Sequence, residues 1–129
     1  MESTRVKAVA TEYIDTVGRG DLEPLDQLLA DELAASVGGN VSTKQEWIAA
    51  LGHLLPALVR NDIRHVYADG DNACVVYDFV TNTPAGAVVC VEDLELNADG
   101  RIRRIELIFD KVAFAPVNAA LQERAARVA

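Results

Sequence analysis

Glu92 is the residue whose type and setting most clearly suggest chemistry. It interrupts a run of residues that alternate with period two, so it shares one face of a predicted strand over 87–96 with apolar side chains. Burial disfavours the charged form of a carboxyl and raises its pKa, which suits a general acid or base. A one-residue bulge would turn Asp93 inward instead, and both orientations remain open. The apolar residues on the same face as Glu92 are Val88, Cys90, Leu94 and Leu96.

Tyr13 and Tyr77 carry hydroxyls that could donate a hydrogen bond to a reacting group. Tyr77 alternates with Phe79 in a predicted strand over 73–81, so both rings are predicted to lie on the inner face of the sheet. Tyr13 lies in the apolar stripe of a predicted helix, where a core tyrosine with a locally satisfied hydroxyl is the alternative interpretation.

His65 is a further candidate, because histidine is the side chain best suited to titrate near neutrality. The alternation of Ile63, His65 and Tyr67 places the imidazole inward. Val66 and Ala68 favour the opposite register, which places it outward. Both orientations remain open, and His65 is retained as a candidate acid–base group.

The sequence lacks the motifs of metal, nucleotide and serine-nucleophile sites. No Cys and His residues stand at metal-ligand spacing, and no glycine-rich phosphate loop or G-x-S-x-G segment occurs. Cys74 and Cys90 are interpreted as reduced thiols, and Cys90 as a small buried hydrophobe rather than a nucleophile. We therefore expect neither a metal nor an organic cofactor.

Hydrophobic periodicity predicts three helices followed by four strands, an α+β arrangement. The first helix ends near position 18, the second covers about 21–33, and the third begins at one of two alternative capping boxes within 42–46. The strands cover 63–68, 73–81, 87–96 and 101–110, joined by turns that indicate antiparallel hairpins. A last helix covers about 116–128.

Length and charge narrow the functional classes. The 129 residues suit one domain over 1–129, with a C-terminal helical extension at about 116–128. Twelve basic against 20 acidic residues give a net charge of −8, which disfavours binding to nucleic acid or to an anionic membrane. The longest apolar stretch, 48–59, is too short and interrupted to span a bilayer, and the N-terminus lacks the order of a signal peptide. We therefore expect a soluble cytoplasmic protein.

Six short segments share an order and spacing with a known superfamily. They are YIDTVGRGDL at 13–22, LLADE at 28–32, ADGD at 68–71, VYD at 76–78, ADGRI at 98–102 and FD at 109–110. Together they resemble the nuclear transport factor 2-like superfamily, most strongly its SnoaL-like branch, which includes polyketide cyclases and ketosteroid-isomerase-like proteins. The resemblance implies a cone of three N-terminal helices packed in a curved, mainly antiparallel sheet around an apolar pocket, with a C-terminal helix here.

The resemblance also implies roles for individual residues. Glu92 falls where ketosteroid isomerases carry an inward hydrogen-bonding acid, and Tyr13 falls where they carry the tyrosine of the oxyanion hole. Val37 stands at the position of their general base, which departs from the isomerase pattern. The expected ligand-binding residues are Val17, Trp47, Leu51, Phe79, Val88, Cys90, Leu94, Leu107 and Phe109.

Two functions are therefore expected. The first is a cofactor-independent isomerase or cyclase that acts on a small apolar carbonyl compound through Glu92, with Tyr13 or Tyr77 as donor. The alternative is a non-catalytic ligand-binding or dimerisation module, favoured by Val37. A homodimer through the outer sheet face is expected in either case, because that face is unusually aliphatic. Its residues are Val76, Val80, Val89, Val91 and Ile108.

Overall fold

Six strands form one curved, mixed sheet in a computed structural model that describes residues 2–128. The strand order is β2-β1-β6-β5-β4-β3; β1 and β6 are parallel, and the other neighbours are antiparallel. The α+β prediction is therefore confirmed. The elements are α1 (Ser3–Gly18), α2 (Leu25–Leu28), β1 (Leu29–Val37), β2 (Asn40–Ser42), α3 (Lys44–Leu54), β3 (Leu58–Asp69), β4 (Asn72–Thr81), β5 (Ala87–Leu96), β6 (Ile102–Phe109) and α4 (Lys111–Val128).

Period-two burial in β4 and β5 defines the inner face of the sheet. Every second residue of both strands is buried, and the residues between them are partly or fully exposed. The helix α1 packs against β3 and β4, and α3 packs against β1. The buried hydrophobic residues of α1 follow the helical period: Val6, Ala10, Tyr13, Ile14 and Val17.

The prediction of a long second helix was wrong. Only one turn, α2, is helical, and the chain continues from Leu29 as a nine-residue strand. Leu29 and Leu33 are four residues apart, a spacing that fits one face of a helix and also one face of a strand. Pairing of β1 with β6 decides between the two, and that pairing is not visible in local periodicity.

The helix α3 begins at the second of the two predicted capping boxes. Thr43 Oγ1 accepts from the Glu46 amide at 3.3 Å, and Glu46 Oε1 accepts from the Thr43 amide at 2.9 Å. The helix ends at Leu54, two residues before Pro56, which lacks an N–H to continue the ladder. This element buries Trp47 against the interior.

The last helix begins earlier than the sequence predicts. Asp110 Oδ1 accepts from the Val112 amide at 2.8 Å and caps α4, so the helix starts at Lys111. The predicted start at about position 116 therefore lies inside the helix, and Pro116 is an interior residue of α4. The earlier start brings Phe114 into the interior of the fold.

Candidate functional site

A cavity of about 190 Å³ lies between the helices and the inner face of the sheet. Its walls are almost wholly apolar, and Glu92 is the one carboxylate among the described lining residues. Such a cavity, with a few convergent polar groups, is the usual form of a small-molecule site. It is lined by Tyr13, Val17, Val37, Trp47, Ala50, Leu51, Leu54, Asn61, Tyr77, Phe79, Cys90, Glu92, Leu107, Phe109 and Phe114.

Glu92 lies on the inner face of β5 and is only 2% exposed. Its Oε1 accepts a hydrogen bond from the Tyr77 hydroxyl at 2.6 Å. Its Oε2 is buried and has no hydrogen-bond partner among residues 2–128. The neighbouring Asp93 points to the opposite face, where Arg104 donates to it at 3.2 Å. The carboxyl available to a ligand is therefore that of Glu92.

Tyr13 contributes a second hydroxyl to the cavity. The indole N–H of Trp47 donates to the Tyr13 hydroxyl oxygen at 2.8 Å, which joins α1 to α3. Because that bond uses Tyr13 as the acceptor, its own O–H hydrogen remains available to a ligand or to Glu92. Burial raises the pKa of both Tyr13 and Tyr77 well above the ordinary value, so both stay neutral donors.

Burial also raises the pKa of Glu92 to about 7. The hydrogen bond from Tyr77 and the nearby Tyr13 hydroxyl oppose this shift, because both favour the charged carboxylate. Near neutrality, both the protonated and the ionised forms are therefore populated. A group in this state can take up a proton and also return it.

Seven of the nine expected ligand-binding residues line the cavity. Val88 and Leu94 do not; both are buried on the inner side of β5 but belong to the surrounding core. Burial raises the pKa of the Cys90 thiol to about 12, which keeps it protonated and unsuited to nucleophilic attack. The seven are Val17, Trp47, Leu51, Phe79, Cys90, Leu107 and Phe109.

His65 lies outside the cavity, so the structure has the outward one of its two possible orientations and does not bring this candidate acid–base group to the site. Ile63 pairs with Tyr77 and His65 pairs with Val76, so Arg64 is an extra residue in β3. This bulge keeps Ile63 inward and turns His65 outward. The imidazole is exposed and stacks on the Tyr67 ring, with the ring centroids 5.7 Å apart.

Several lining residues were missed by the sequence analysis. Asn61 was not considered because the predicted strand began two residues later, whereas β3 starts at Leu58. Extending the alternation of Ile63 back by two residues would have placed Asn61 on the inner face. Phe114 lies before the predicted start of the last helix, and Ala50 lies on α3. Val37 also lines the cavity, so the expected base position holds an apolar side chain.

Over residues 2–128, no group of three or more His, Cys, Asp or Glu residues could hold a metal ion. Within the same range, no helix is long and apolar enough to cross a membrane.

Comparisons with known proteins agree with this architecture. A steroid delta-isomerase from Pseudomonas aeruginosa is 15% identical, with 96% of this chain and 93% of that chain covered at a TM-score of 0.74. A candidate SnoaL-like polyketide cyclase from a Jannaschia species is 18% identical, with coverages of 88% and 90% and a TM-score of 0.72. A de novo designed protein with a curved β-sheet is 22% identical, with coverages of 92% and 99% and a TM-score of 0.76.

Identities at this level show the shared fold and leave the activity open. A search of curated protein sequences finds no match. Residues 10–105, about three quarters of the chain, match the SnoaL-like domain family. The match begins within α1, includes Glu92 and ends within β6. The chain therefore belongs to the SnoaL-like domain family.

Proposed function

We propose that this chain is an acid–base enzyme of the isomerase or cyclase kind that binds a small, largely apolar carbonyl compound. The observation that carries the proposal is Glu92, a buried carboxyl of a cavity-lining residue, with one oxygen held by Tyr77 and the other without a partner among residues 2–128. Two of the similar structures are named as a steroid delta-isomerase and a candidate SnoaL-like polyketide cyclase, and these names support a reaction of this class.

In the proposed reaction, ionised Glu92 acts as the base. Its Oε2 takes a proton from the carbon next to the ligand's carbonyl, and the C–H electron pair forms a carbon–carbon double bond as the carbonyl pair moves to oxygen. Tyr13 donates a hydrogen bond to that oxygen and stabilises its negative charge. In a ligand with a carbon–carbon double bond between its β and γ carbons, protonated Glu92 then returns the proton to the γ carbon as the carbonyl re-forms. The double bond thereby moves to the α and β carbons, and no atom is gained or lost.

The cavity volume favours a ligand of one or two rings. An engineered apolar cavity of about 150 Å³ in another protein holds one benzene molecule. The present cavity, at about 190 Å³, has room for a somewhat larger ring compound. Most of its lining is aliphatic or aromatic, so the ligand's skeleton is apolar apart from the group that meets Glu92 and Tyr13.

The second candidate function is a binding module of the same fold without catalysis. The observation that favours it is Val37, an apolar residue in the wall where a second carboxylate could have served as a separate base. Under this alternative, Glu92 and Tyr13 hold the ligand's polar group, and no bond in the ligand changes.

The test is proton exchange at the α-carbon of a bicyclic ketone, β-tetralone, in heavy water. We expect the wild-type protein to accelerate deuterium uptake, measured by NMR, above the rate in buffer. Glu92→Gln should reduce the rate to that of buffer, because the amide cannot take the proton. Tyr13→Phe should lower it by a factor of about ten to a thousand, since an oxyanion donor is lost.

Asp93→Asn is the matched control, because it neutralises the neighbouring carboxyl on the outer face. It should leave the exchange rate at the wild-type value. If β-tetralone binds but exchanges at the buffer rate, the enzyme proposal is wrong and the binding module is supported. Full exchange in Glu92→Gln would equally remove Glu92 from the mechanism.

A further inference from the structure

Asn61 is a second side chain in the cavity wall with an unpartnered oxygen. Its Oδ1 is buried and has no hydrogen-bond partner among residues 2–128, a condition that it shares with Glu92 Oε2. Both residues line the same cavity. Buried polar atoms in folded proteins nearly always have a partner, so two such oxygens at one cavity need an explanation.

The orientation of the Asn61 side-chain amide is set by the hydrogen bond that its nitrogen already makes. Its Nδ2 donates to the Ile14 carbonyl oxygen of α1 at 3.0 Å. A reversed amide would bring Oδ1 against that carbonyl, and two acceptors cannot share a hydrogen bond. The free atom of the side chain is therefore an acceptor.

The backbone of Asn61 is also held in place. A Cβ atom on Gly18 would lie 2.8 Å from the Asn61 backbone nitrogen, so the glycine allows α1 to approach β3 at this point. Leu58 pairs with Thr81 and Arg60 pairs with Val80, which makes Val59 an extra residue in β3. Beyond this bulge, Asn61 pairs with Phe79, whose side chain lies on the inner face.

We propose that Asn61 is a specificity-determining residue that accepts a hydrogen bond from a hydroxyl or N–H group of the ligand. This inference rests on the proposed function and narrows its ligand class. The ligand is then a small ring compound with two polar points, a carbonyl at Tyr13 and Glu92 and a donor at Asn61. A site built to bond a donor rejects analogues that lack it, because its own acceptor is then left buried and unpaired.

The test compares aromatic probes that differ by one hydroxyl. β-Naphthol carries a single hydroxyl, and the dihydroxynaphthalene isomers add a second at different ring positions. Calorimetric titration of the full chain should find at least one isomer that binds about tenfold more tightly than β-naphthol. Asn61→Leu should abolish that gain while keeping the affinity for β-naphthol within about twofold. Asn61→Ala, tested in parallel, removes the same oxygen without adding bulk.

Asn82→Leu is the matched control. Asn82 Nδ2 also donates to a backbone carbonyl, that of Pro56 at 3.0 Å, but the residue is exposed and outside the cavity. This variant should retain the full gain from the second hydroxyl.

Four other outcomes would overturn the inference. The gain in affinity from the second hydroxyl could survive in both Asn61 variants, or no isomer could show it. Either result would show that Asn61 does not recognise the ligand. The proposed function would still stand, because the protein binds β-naphthol. Loss of β-naphthol binding in both Asn61 variants would show that Asn61 supports the cavity wall rather than recognising the ligand. If wild-type protein binds none of the naphthols, the proposed function and this inference both fail.

Discussion

Tyr77 and Glu92 are diagonal neighbours on adjacent strands, and the Tyr77 hydroxyl donates to Glu92 Oε1 at 2.6 Å. Tyr77 pairs directly with Cys90 in the β4–β5 ladder, and Glu92 follows two residues later on the same face. This bond leaves Oε2 as the free oxygen at the cavity and holds the carboxyl in one orientation. Tyr77 is thus a positioning residue for Glu92.

Tyr77→Phe should raise the pKa of Glu92, because the hydrogen bond that it removes stabilises the ionised carboxylate. In the exchange assay, the pH at which Glu92 becomes an active base should move upward. The pH–rate profile of β-tetralone exchange measures this shift. Tyr67→Phe removes an exposed hydroxyl and should leave the profile unchanged. A downward shift in Tyr77→Phe would contradict the assignment.

Glu92 should make folding stability depend on pH. Its pKa is about 7 in the folded chain against an ordinary value of 4.5, so the folded state binds this proton more tightly than the unfolded state. The contribution is most favourable below about pH 4.5 and decreases as the pH rises towards about 7. Above pH 7, the free energy of unfolding should be about 3 kcal/mol lower than it is below pH 4.5.

Urea unfolding near pH 5 and near pH 8 measures this dependence. In Glu92→Gln, the stability should not decrease from pH 5 to pH 8 in this way, because the amide does not titrate. Glu106→Gln, which changes an exposed glutamate on β6, should keep the wild-type dependence. An unchanged decrease in Glu92→Gln would show that another group is responsible.

Trp47 should report ligand binding, since it is the chain's single tryptophan and lines the cavity. Its indole N–H is bonded to Tyr13, next to the proposed position of the ligand's carbonyl. Titration with β-tetralone should change the tryptophan emission by a saturable amount. Trp47→Phe should cost about 1 kcal/mol of stability through loss of the buried hydrogen bond, measured by urea unfolding. Saturable binding by calorimetry without any change in emission would place the ligand elsewhere.

We propose that the outer sheet face joins two copies of the chain. Val76, Val91 and Ile108 form a cross-strand row there, in which Ile108 is 52% exposed, and nearby Val89 is 46% exposed. Ile108→Glu should halve the mass measured by light scattering, because a charge would be buried at the interface. Val128→Glu, at the exposed end of α4, should leave the mass unchanged. A wild-type protein with the mass of one chain would contradict this proposal.

Local patterns were sufficient for much of the fold. The period-two run over 87–96 coincides with β5, and the order of residues within it places Glu92 among apolar neighbours on the inner face. A strand's alternation depends only on backbone geometry, so the inner face follows once one residue is oriented. The capping box that starts α3 was equally readable, because its hydrogen bonds join residues three positions apart.

Tertiary structure decided what depends on distant pairing. The bulge at Arg64 turns His65 away from the cavity, and pairing with β6 makes a strand of residues that could have continued a helix. The hydrogen bond from Trp47 to Tyr13 joins residues 34 positions apart. Likewise, the acceptor role of Asn61 depends on its bond to Ile14. Sequence periodicity therefore predicted a strand with an apolar inner face and one carboxyl among its side chains. Strand register and helix docking decided that this carboxyl is that of Glu92 and which polar groups meet it, because those contacts form only when the chain is folded.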